Sequence, residues 1–494
     1  MGAEPHRAPE LRIFLLLFLF LNFLYLVTSS GRVHTTDEVI VDMEAESLAT
    51  RASTAVPQAV SMNLFYGKFD REGNPQAPYG AAQAALVVPW YVLGRVARNI
   101  VPGIPASARD IALDAVVTSS SGTFAALAVA FVFLILSRIG IPAAAAAGTA
   151  LIVGLGTPVF AYSSWFFSEP LTAAILLAAA FALFTGQRAA PISLERACIG
   201  GVLLGAALWV RPTHVIAVPV FLLAILVRDR SRGIAAACLL AALAGAFAAA
   251  YLARNEVLFG NFLDFGYPTA AEGGKRLNTF ETPFATGLYG FLLSPGKSIF
   301  LFAPPVLLGL PGVFRLARRE RGLAVLGAVA PLVYLLFYSC YTQWEGGYSF
   351  GPRYLVPVIP FASLGLGPLL ADGSRTIRRL AFGLAFAGFL VQAVGMSTSF
   401  LQDQTHGQYY DEQWNYRMSY SPLVSQTERL VHYITTEQPA PIGLGFDRWF
   451  VFLAKAGVAR ATISTVLFFE FAGSLLAGGL LFRAMRGRAA PAAS

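Results

Sequence analysis

Two adjacent carboxylates, Asp37 and Glu38, stand just past the first apolar run of the chain. Paired acids at such an edge suit a general base and its supporting neighbour. The same residues also suit a helix start, with Thr36 or Asp37 as cap and Glu38 complementing the dipole. A third acid, Glu169, lies in Ser168-Glu169-Pro170 after Trp165-Phe166-Phe167. It is either a helix-start charge or a buried acid that needs a partner. Arg211-Pro212-Thr213-His214 interrupts an apolar run, and an arginine placed there demands a carboxylate or a phosphate. His214 beside it fits a ligand or a hydrogen-bonded packer equally. Lys68 and Asp70, in a stretch running on to Tyr79, could meet a phosphate or a metal, or could simply form a solvated turn.

Two glycine-rich stretches add cations. Gly287-Leu288-Tyr289-Gly290 is followed by Ser294-Pro295-Gly296-Lys297-Ser298, and Trp344-Glu345-Gly346-Gly347 by Phe350-Gly351-Pro352-Arg353-Tyr354. Glycine lets backbone N–H groups approach an anion, and a helix N-terminus favours negative charge. With Lys297 and Arg353 these stretches read as amide-rich, cationic edges suited to a phosphate; the alternative for Arg353 is an arginine that snorkels to an interface. SPGKS lacks the spacing and the preceding strand of a nucleotide-binding P-loop.

The elements that must position these groups are apolar helices. Of 494 residues 56% are hydrophobic and only 13% charged, about half the charge density of a soluble chain. So little charge cannot cover a water-facing surface of that size, so the expected class is an all-α, polytopic transmembrane protein. Apolar stretches near 11–30, 81–98, 111–137, 141–163, 167–186, 197–227, 233–253, 296–314, 322–340, 354–371, 380–398 and 461–482 make about twelve spans, within a range of about eleven to fourteen. The first is expected to be an uncleaved span rather than a signal peptide. Arginines cluster at 228–232, 315–321, 375–379 and 483–488, all on one side of an alternating count, which the positive-inside rule makes cytoplasmic. That orientation accounts for the net charge of +8 without nucleic acid as a partner. Long polar segments, 31–80, 255–295 and 399–460, then fall on the opposite side. The organisation expected is a transmembrane core over 1–398, a polar segment over 399–460, and a last helix with a basic tail over 461–494. The stretch 197–227 is too long for one straight crossing. It is either one kinked helix or two segments, and two would require an extra short segment near 99–112. The simple count leaves Glu169 on the cytoplasmic side. Cys198, Cys238 and Cys340 are odd in number and lack metal-ligand spacing, so they read as small packers.

Taken in order, the Asp37-Glu38 pair, GKFD with PYG, FSEPL, RPT, GLYGFLLSPGKSIF and GGYSFGPRYLVPVIP resemble bacterial members of the GT-C superfamily, which use polyprenyl-phosphate-linked sugars. The protein mannosyltransferase-like and aminoarabinose transferase-like branches are the nearest. The resemblance runs from the first span to about Phe361. It implies an integral membrane glycosyltransferase of the cell envelope in the plasma (inner) membrane, with its active site on the extracytoplasmic side. It further implies an inverting transfer with Asp37 as base, Glu38 in support, and Lys297, Arg353 and Arg211 on the carrier phosphate. The acceptor would be an envelope glycan, a lipid or a protein. The aminoarabinose branch has an arginine soon after its acid pair, where this chain has Val39, Ile40 and Val41. That branch's metal-binding Glu and His have no clear counterpart either, so no metal residue is assigned and a divalent ion stays open. The resemblance sets Glu169 facing outward, against the span count. The principal rival is a lipid or glycan transporter, which would also show broken helices and a mid-membrane arginine. A polysaccharide polymerase or ligase with diphosphate-linked donors and a structural membrane subunit are the others.

Overall fold

Where water is absent, each apolar stretch must satisfy its own backbone hydrogen bonds, and a helix does so. The computed structural model of the chain describes residues 7–187, 190–268, 279–347, 349–403, 415–436 and 445–486. Helix α1 (Arg7–Thr28) leads into the first polar segment, which carries α2 (Thr36–Arg51), α3 (Pro57–Ser61) and a small antiparallel hairpin of β1 (Lys68–Phe69) and β2 (Pro75–Gln76). Then come α4 (Ala82–Ile100), α5 (Arg109–Thr118), α6 (Ser120–Arg138), α7 (Ala143–Gly156) and α8 (Pro158–Tyr162). Next are α9 (Glu169–Phe184), α10 (Leu194–Val210), α11 (Ala217–Asp229) and α12 (Ile234–Phe259). After the second polar segment follow α13 (Phe284–Leu293), α14 (Ile299–Phe302), α15 (Val306–Leu316) and α16 (Arg321–Ser339). Helices α17 (Ile359–Ser363), α18 (Leu366–Asp372) and α19 (Arg375–Ser397) precede the third, which holds α20 (Pro422–Thr435) and α21 (Trp449–Lys455). The last is α22 (Arg460–Arg486).

The all-α expectation holds apart from that hairpin. Among the described residues six helical segments are long and apolar enough to cross a membrane: Pro9–Thr28, Ala106–Arg138, Pro212–Phe259, Arg321–Ser339, Arg375–Ser397 and Arg460–Arg486. With shorter apolar helices beside them, they make the chain a multi-pass membrane protein. Helix α9 is apolar nearly all round and almost wholly buried, which is the signature of a helix inside a bundle rather than on its rim.

Ion pairs mark one end of the bundle. Arg138 meets Glu10 at 2.8 Å, Arg319 meets Asp372 at 3.1 Å and reaches the Gly140 carbonyl at 3.4 Å, and Arg228 meets Glu320 at 3.2 Å. The basic clusters around 228 and 319 therefore share an end, as their expected common side requires; Arg488, of the last cluster, lies outside the described residues.

The break at Arg211-Pro212 resolves into two segments. Helix α10 ends at Val210, a short 3-10 turn spans Pro212–Ile216, and α11 starts at Ala217. At the far ends of the two helices the Ile192 amide donates to Asp229 Oδ2 at 2.7 Å. Both outer ends thus meet at the arginine-rich end, and the chain turns back at Arg211. Proline, lacking an N–H, takes the first position of the new turn, where no intrahelical partner is needed. The compensating short segment exists: α5 packs back along α4, with Gly94 against Leu113. This hairpin corrects the alternating count, which had treated 81–98 and 111–137 as independent crossings. The correction moves Glu169 to the opposite end from the arginine clusters, together with Asp37.

Candidate active site

Helix α2 presents Asp37. Its N-cap is Thr35, one residue earlier than expected, whose side chain accepts from the Glu38 amide, while Glu38 reaches back to the Thr35 amide at 3.1 Å. This reciprocal capping box fixes the first turn. Glu38 is fully buried and also accepts from the amides of His34 and of Phe166, the latter at 2.9 Å. Three backbone donors hold its carboxylate, which anchors α2 onto the turn between α8 and α9. Anchoring Glu38 leaves Asp37 turned the other way. Glu38 thus takes the helix-start role, and Asp37 is the acid left free to face the other candidates.

Asp37 faces three donors. Tyr79 gives its hydroxyl proton to Oδ1 at 2.6 Å, Arg353 Nη2 donates to Oδ2 at 3.0 Å, and Arg211 Nη2 reaches the same oxygen at 3.4 Å. Burial pushes the Asp37 carboxyl upward, but the guanidiniums of Arg353 and Arg211, with the Tyr79 hydroxyl, hold it below the usual carboxylate range. Burial, with the Asp37 charge adding to it, raises the Tyr79 phenol, so it remains the donor. The Asp37 side chain keeps 25% of its surface exposed, against 4% for Arg353, so an incoming group can reach the acid but not the far side of the arginine.

Arg353 is the hub. Its Nε donates to Glu169 Oε1 at 2.8 Å, its Nη1 reaches the Gly346 carbonyl at 3.3 Å, and its guanidinium lies 4.0 Å from the centre of the Phe167 ring. A buried charge survives only when paired and hydrogen-bonded in this way, with the aromatic face adding a cation–π contact. Gly346 adopts φ +80°, and a Cβ there would lie 2.9 Å from Arg353 Cβ, so glycine is what lets this loop close over the arginine. Arg211 sits 5.1 Å over the Tyr79 ring. Five residues from five separate sequence motifs, Asp37, Tyr79, Glu169, Arg211 and Arg353, therefore meet in one constellation.

The other candidates lie elsewhere in the contact scheme. Lys297 is fully buried and donates to the Ser349 carbonyl at 2.8 Å and to its hydroxyl at 3.2 Å. It braces the loop that carries Arg353 rather than opening onto Asp37. Gly287 and Gly290 are not in a loop: both lie inside α13. There a Cβ would meet the Ser339 carbonyl oxygen or the Trp344 ring at 2.1 Å. Those glycines serve close helix packing, which corrects their reading as an amide cradle. His214 is buried between Thr172 Oγ1 at 3.1 Å and the Tyr334 hydroxyl at 3.0 Å, the packer alternative. Lys68 pairs with Asp264 at 2.7 Å. Asp70 closes the hairpin turn, accepting from the amides of Asn74 at 2.8 Å and Glu72 at 2.9 Å and from the Gln76 side chain at 2.8 Å. Asp70→Ala should therefore cost about 1 kcal/mol of stability, read as a lower melting temperature, and leave the chemistry per folded molecule unchanged. Slight burial pushes the Asp70 carboxyl up, but the donors of Asn74 and Gln76 outweigh it and hold the group below the usual carboxylate range. That contribution is present above the unfolded value of about 3.9 and fades as pH falls through the lower folded one.

Among the described residues no group of three or more His, Cys, Asp or Glu is placed to hold a metal. Sequence reasoning missed His34 and Asp447. The imidazole Nε2 lies 2.8 Å from Asp447 Oδ2, and Arg32 Nε donates to Asp447 Oδ1 at 2.9 Å. The available signal was local: Arg32 and His34 immediately precede the acid pair, too many polar groups for a simple helix start. Their partner lies hundreds of positions away, where no sequence period links them.

No family model matches the chain, and no curated protein matches it. Solved structures align with most of the chain. The crystal structure of ArnT from Cupriavidus metallidurans bound to undecaprenyl phosphate aligns with 96% of this chain and 77% of its own, at 15% identity and a TM-score of 0.48. The apo state of the same protein gives the same values. The archaeal oligosaccharyltransferase AglB from Archaeoglobus fulgidus, in complex with an inhibitory peptide and a dolichol-phosphate, aligns over 87% of this chain and 60% of its own, at 10% identity and a TM-score of 0.48.

Proposed function

We propose that the chain is a membrane glycosyltransferase that moves a sugar from a polyprenyl-phosphate carrier to an acceptor hydroxyl, with Asp37 as general base. The observation that carries this reading is the partly exposed Asp37 carboxylate held against the guanidiniums of Arg353 and Arg211. This geometry supports the reading, because a carboxylate that can accept a proton and two cations that can meet a phosphate stand within one side chain's reach of each other. In the reaction the acceptor oxygen forms a bond to the anomeric carbon, the bond from that carbon to the phosphate oxygen breaks, and the acceptor proton passes to Asp37. The electron pair leaves on the carrier phosphate, where a cation stabilises the charge as it develops. Arg211 is the more available cation: its contact with Asp37 is 3.4 Å and single, whereas Arg353 is also tied to Glu169 and Gly346. The arriving phosphate would draw Arg211 from Asp37 and so raise the basicity of the carboxylate when it is needed. The donor, already lipid-borne, enters from the bilayer, and the proposed site faces the extracytoplasmic side of the plasma membrane. The acceptor is a hydroxyl of an envelope glycan, lipid or protein.

The test is transfer by the purified protein, in lipid, from a synthetic polyprenyl-phosphate sugar. Because Asp37 is held low, kcat/KM should not fall with its protonation until pH drops below about 4. Arg211→Met should move that acid limb upward and raise the donor KM, since one of the two cations that favour the ionised acid is gone. An acid limb that does not move in Arg211→Met would remove the basis of the assignment. A transporter would carry lipid-linked sugar across vesicles without forming a new glycosidic bond.

A further inference from the structure

The third polar segment carries no recognisable motif, yet it returns to the start of α2. The Trp449 amide donates to the Ser29 carbonyl at 3.1 Å, and its indole Nε1 to the Leu26 carbonyl at 3.1 Å. The Asp447 amide donates to the Ser397 carbonyl at 3.1 Å, and Thr398 pairs with Phe446 in an isolated bridge. Between these backbone ties lies a chain of charges, Arg32–Asp447–His34–Glu38. Nothing in general-base chemistry at Asp37 requires it.

His34 is enclosed. Its side chain is fully buried, with Nε2 2.8 Å from Asp447 Oδ2 and Nδ1 3.5 Å from Glu38 Oε2. Its ring stacks on Phe400 with centres 5.2 Å apart. Nε2 hydrogen-bonds to Asp447 and Nδ1 makes no hydrogen bond, but the carboxylates of Asp447 and Glu38 on the two sides of the ring favour its charged form. The charged groups around it are Glu38 on α2 and Asp447 on the third segment, with Arg32 and Arg448 on Asp447. Glu38 is the residue whose backbone contacts turn Asp37 toward the arginines.

We propose that Asp447 and His34 are positioning residues, a clamp through which the third polar segment holds the first turn of α2 and so aims Asp37 at the acceptor. The inference rests on Asp37 being the base. Burial lowers the His34 pKa, but Asp447 and Glu38 outweigh it and bring the ring to about 9. The clamp is therefore complete below the unfolded histidine value of about 6.5 and opens as pH rises through about 9.

The experiment compares wild type, Asp447→Asn and Asp447→Glu in lipid, reading transfer against pH and the His34 titration by NMR of ring-labelled histidine. The His34→Gln spectrum assigns its signal among the 5 histidines. In Asp447→Asn the His34 titration should fall toward about 6.5, and the alkaline limb of kcat should fall with it. At neutral pH kcat should drop about tenfold or more with donor KM unchanged. Asp447→Glu should restore much of the rate. A lower melting temperature with the His34 titration and the alkaline limb unmoved would make the contact purely structural and overturn the clamp. Retained transfer in Asp37→Asn would instead overturn the base assignment, while the His34 titration would still report on the contact itself.

Discussion

Asp37→Asn should lose sugar transfer by about 10²–10⁴-fold in kcat, the range expected for removal of a positioned general base, while the protein stays folded and still binds its lipid donor. The substitution is nearly isosteric. The amide oxygen still accepts from Tyr79, and Arg353 keeps its bonds to Glu169 and to the Gly346 carbonyl. The side chain is 25% exposed, so neutralising it leaves no sealed charge behind. What disappears, on the proposed reading, is the ability to take a proton from the acceptor. The measurement is single-turnover transfer from a lipid-linked sugar, together with binding of the carrier phosphate and a thermal melt. Donor affinity should hold or rise, because Arg211 no longer has a carboxylate competing for it. A variant that transfers at within threefold of the wild-type rate would sink the assignment.

Much of the architecture was legible because lipid imposes a simple rule. A stretch that crosses must be apolar for about twenty residues, and α12, α16, α19 and α22 lie where such stretches fall. The rule fails for segments that do not cross. Helix α13 escaped because close packing, not hydrophobic length, defines it, and α2 was legible only as one of two readings, a helix start at Thr36 or Asp37. The hairpin of α4 and α5 was misread as part of a crossing pattern because hydropathy records what a helix touches and not where the chain goes next. One such error propagated to Glu169. The cost argument for Arg211 succeeded for a related reason: a charge and a proline in an apolar run survive only where partners compensate, and the partner proved to be Asp37.

The site was legible in its charged members and not in its division of labour. Composition cannot show which of two adjacent acids points inward. That is decided by Thr35 and by the amide of Phe166, which hold Glu38 and leave Asp37 outside. Lys297 stands out in sequence for its charge in a glycine-rich context, but charge alone does not reveal that Ser349 would accept its hydrogen bonds. Asp447 was invisible because its meaning depends on a tertiary contact with the other end of the chain.

Arg353 carries the second large effect, and here stability and catalysis can be separated. Its guanidinium is buried and serves two acids at once, Glu169 at 2.8 Å and Asp37 at 3.0 Å. Arg353→Met keeps the bulk and removes the charge. Glu169, itself 3% exposed, is left without its cation, and breaking a buried pair in this way costs about 3–5 kcal/mol. The single variant should therefore express poorly or melt far below wild type. Adding Glu169→Gln removes the stranded acid, and a neutral pair should recover much of the lost stability, because a buried ion pair is often no better than uncharged groups of similar shape. Transfer should not recover. Asp37 would still lack its closer guanidinium, leaving the acid higher in pKa and the leaving phosphate with Arg211 alone. The pair of measurements is a melting temperature and a transfer rate for both single variants and the double. Recovery of both quantities together would mean that Arg353 acts only through the fold; recovery of stability alone places it in the chemistry.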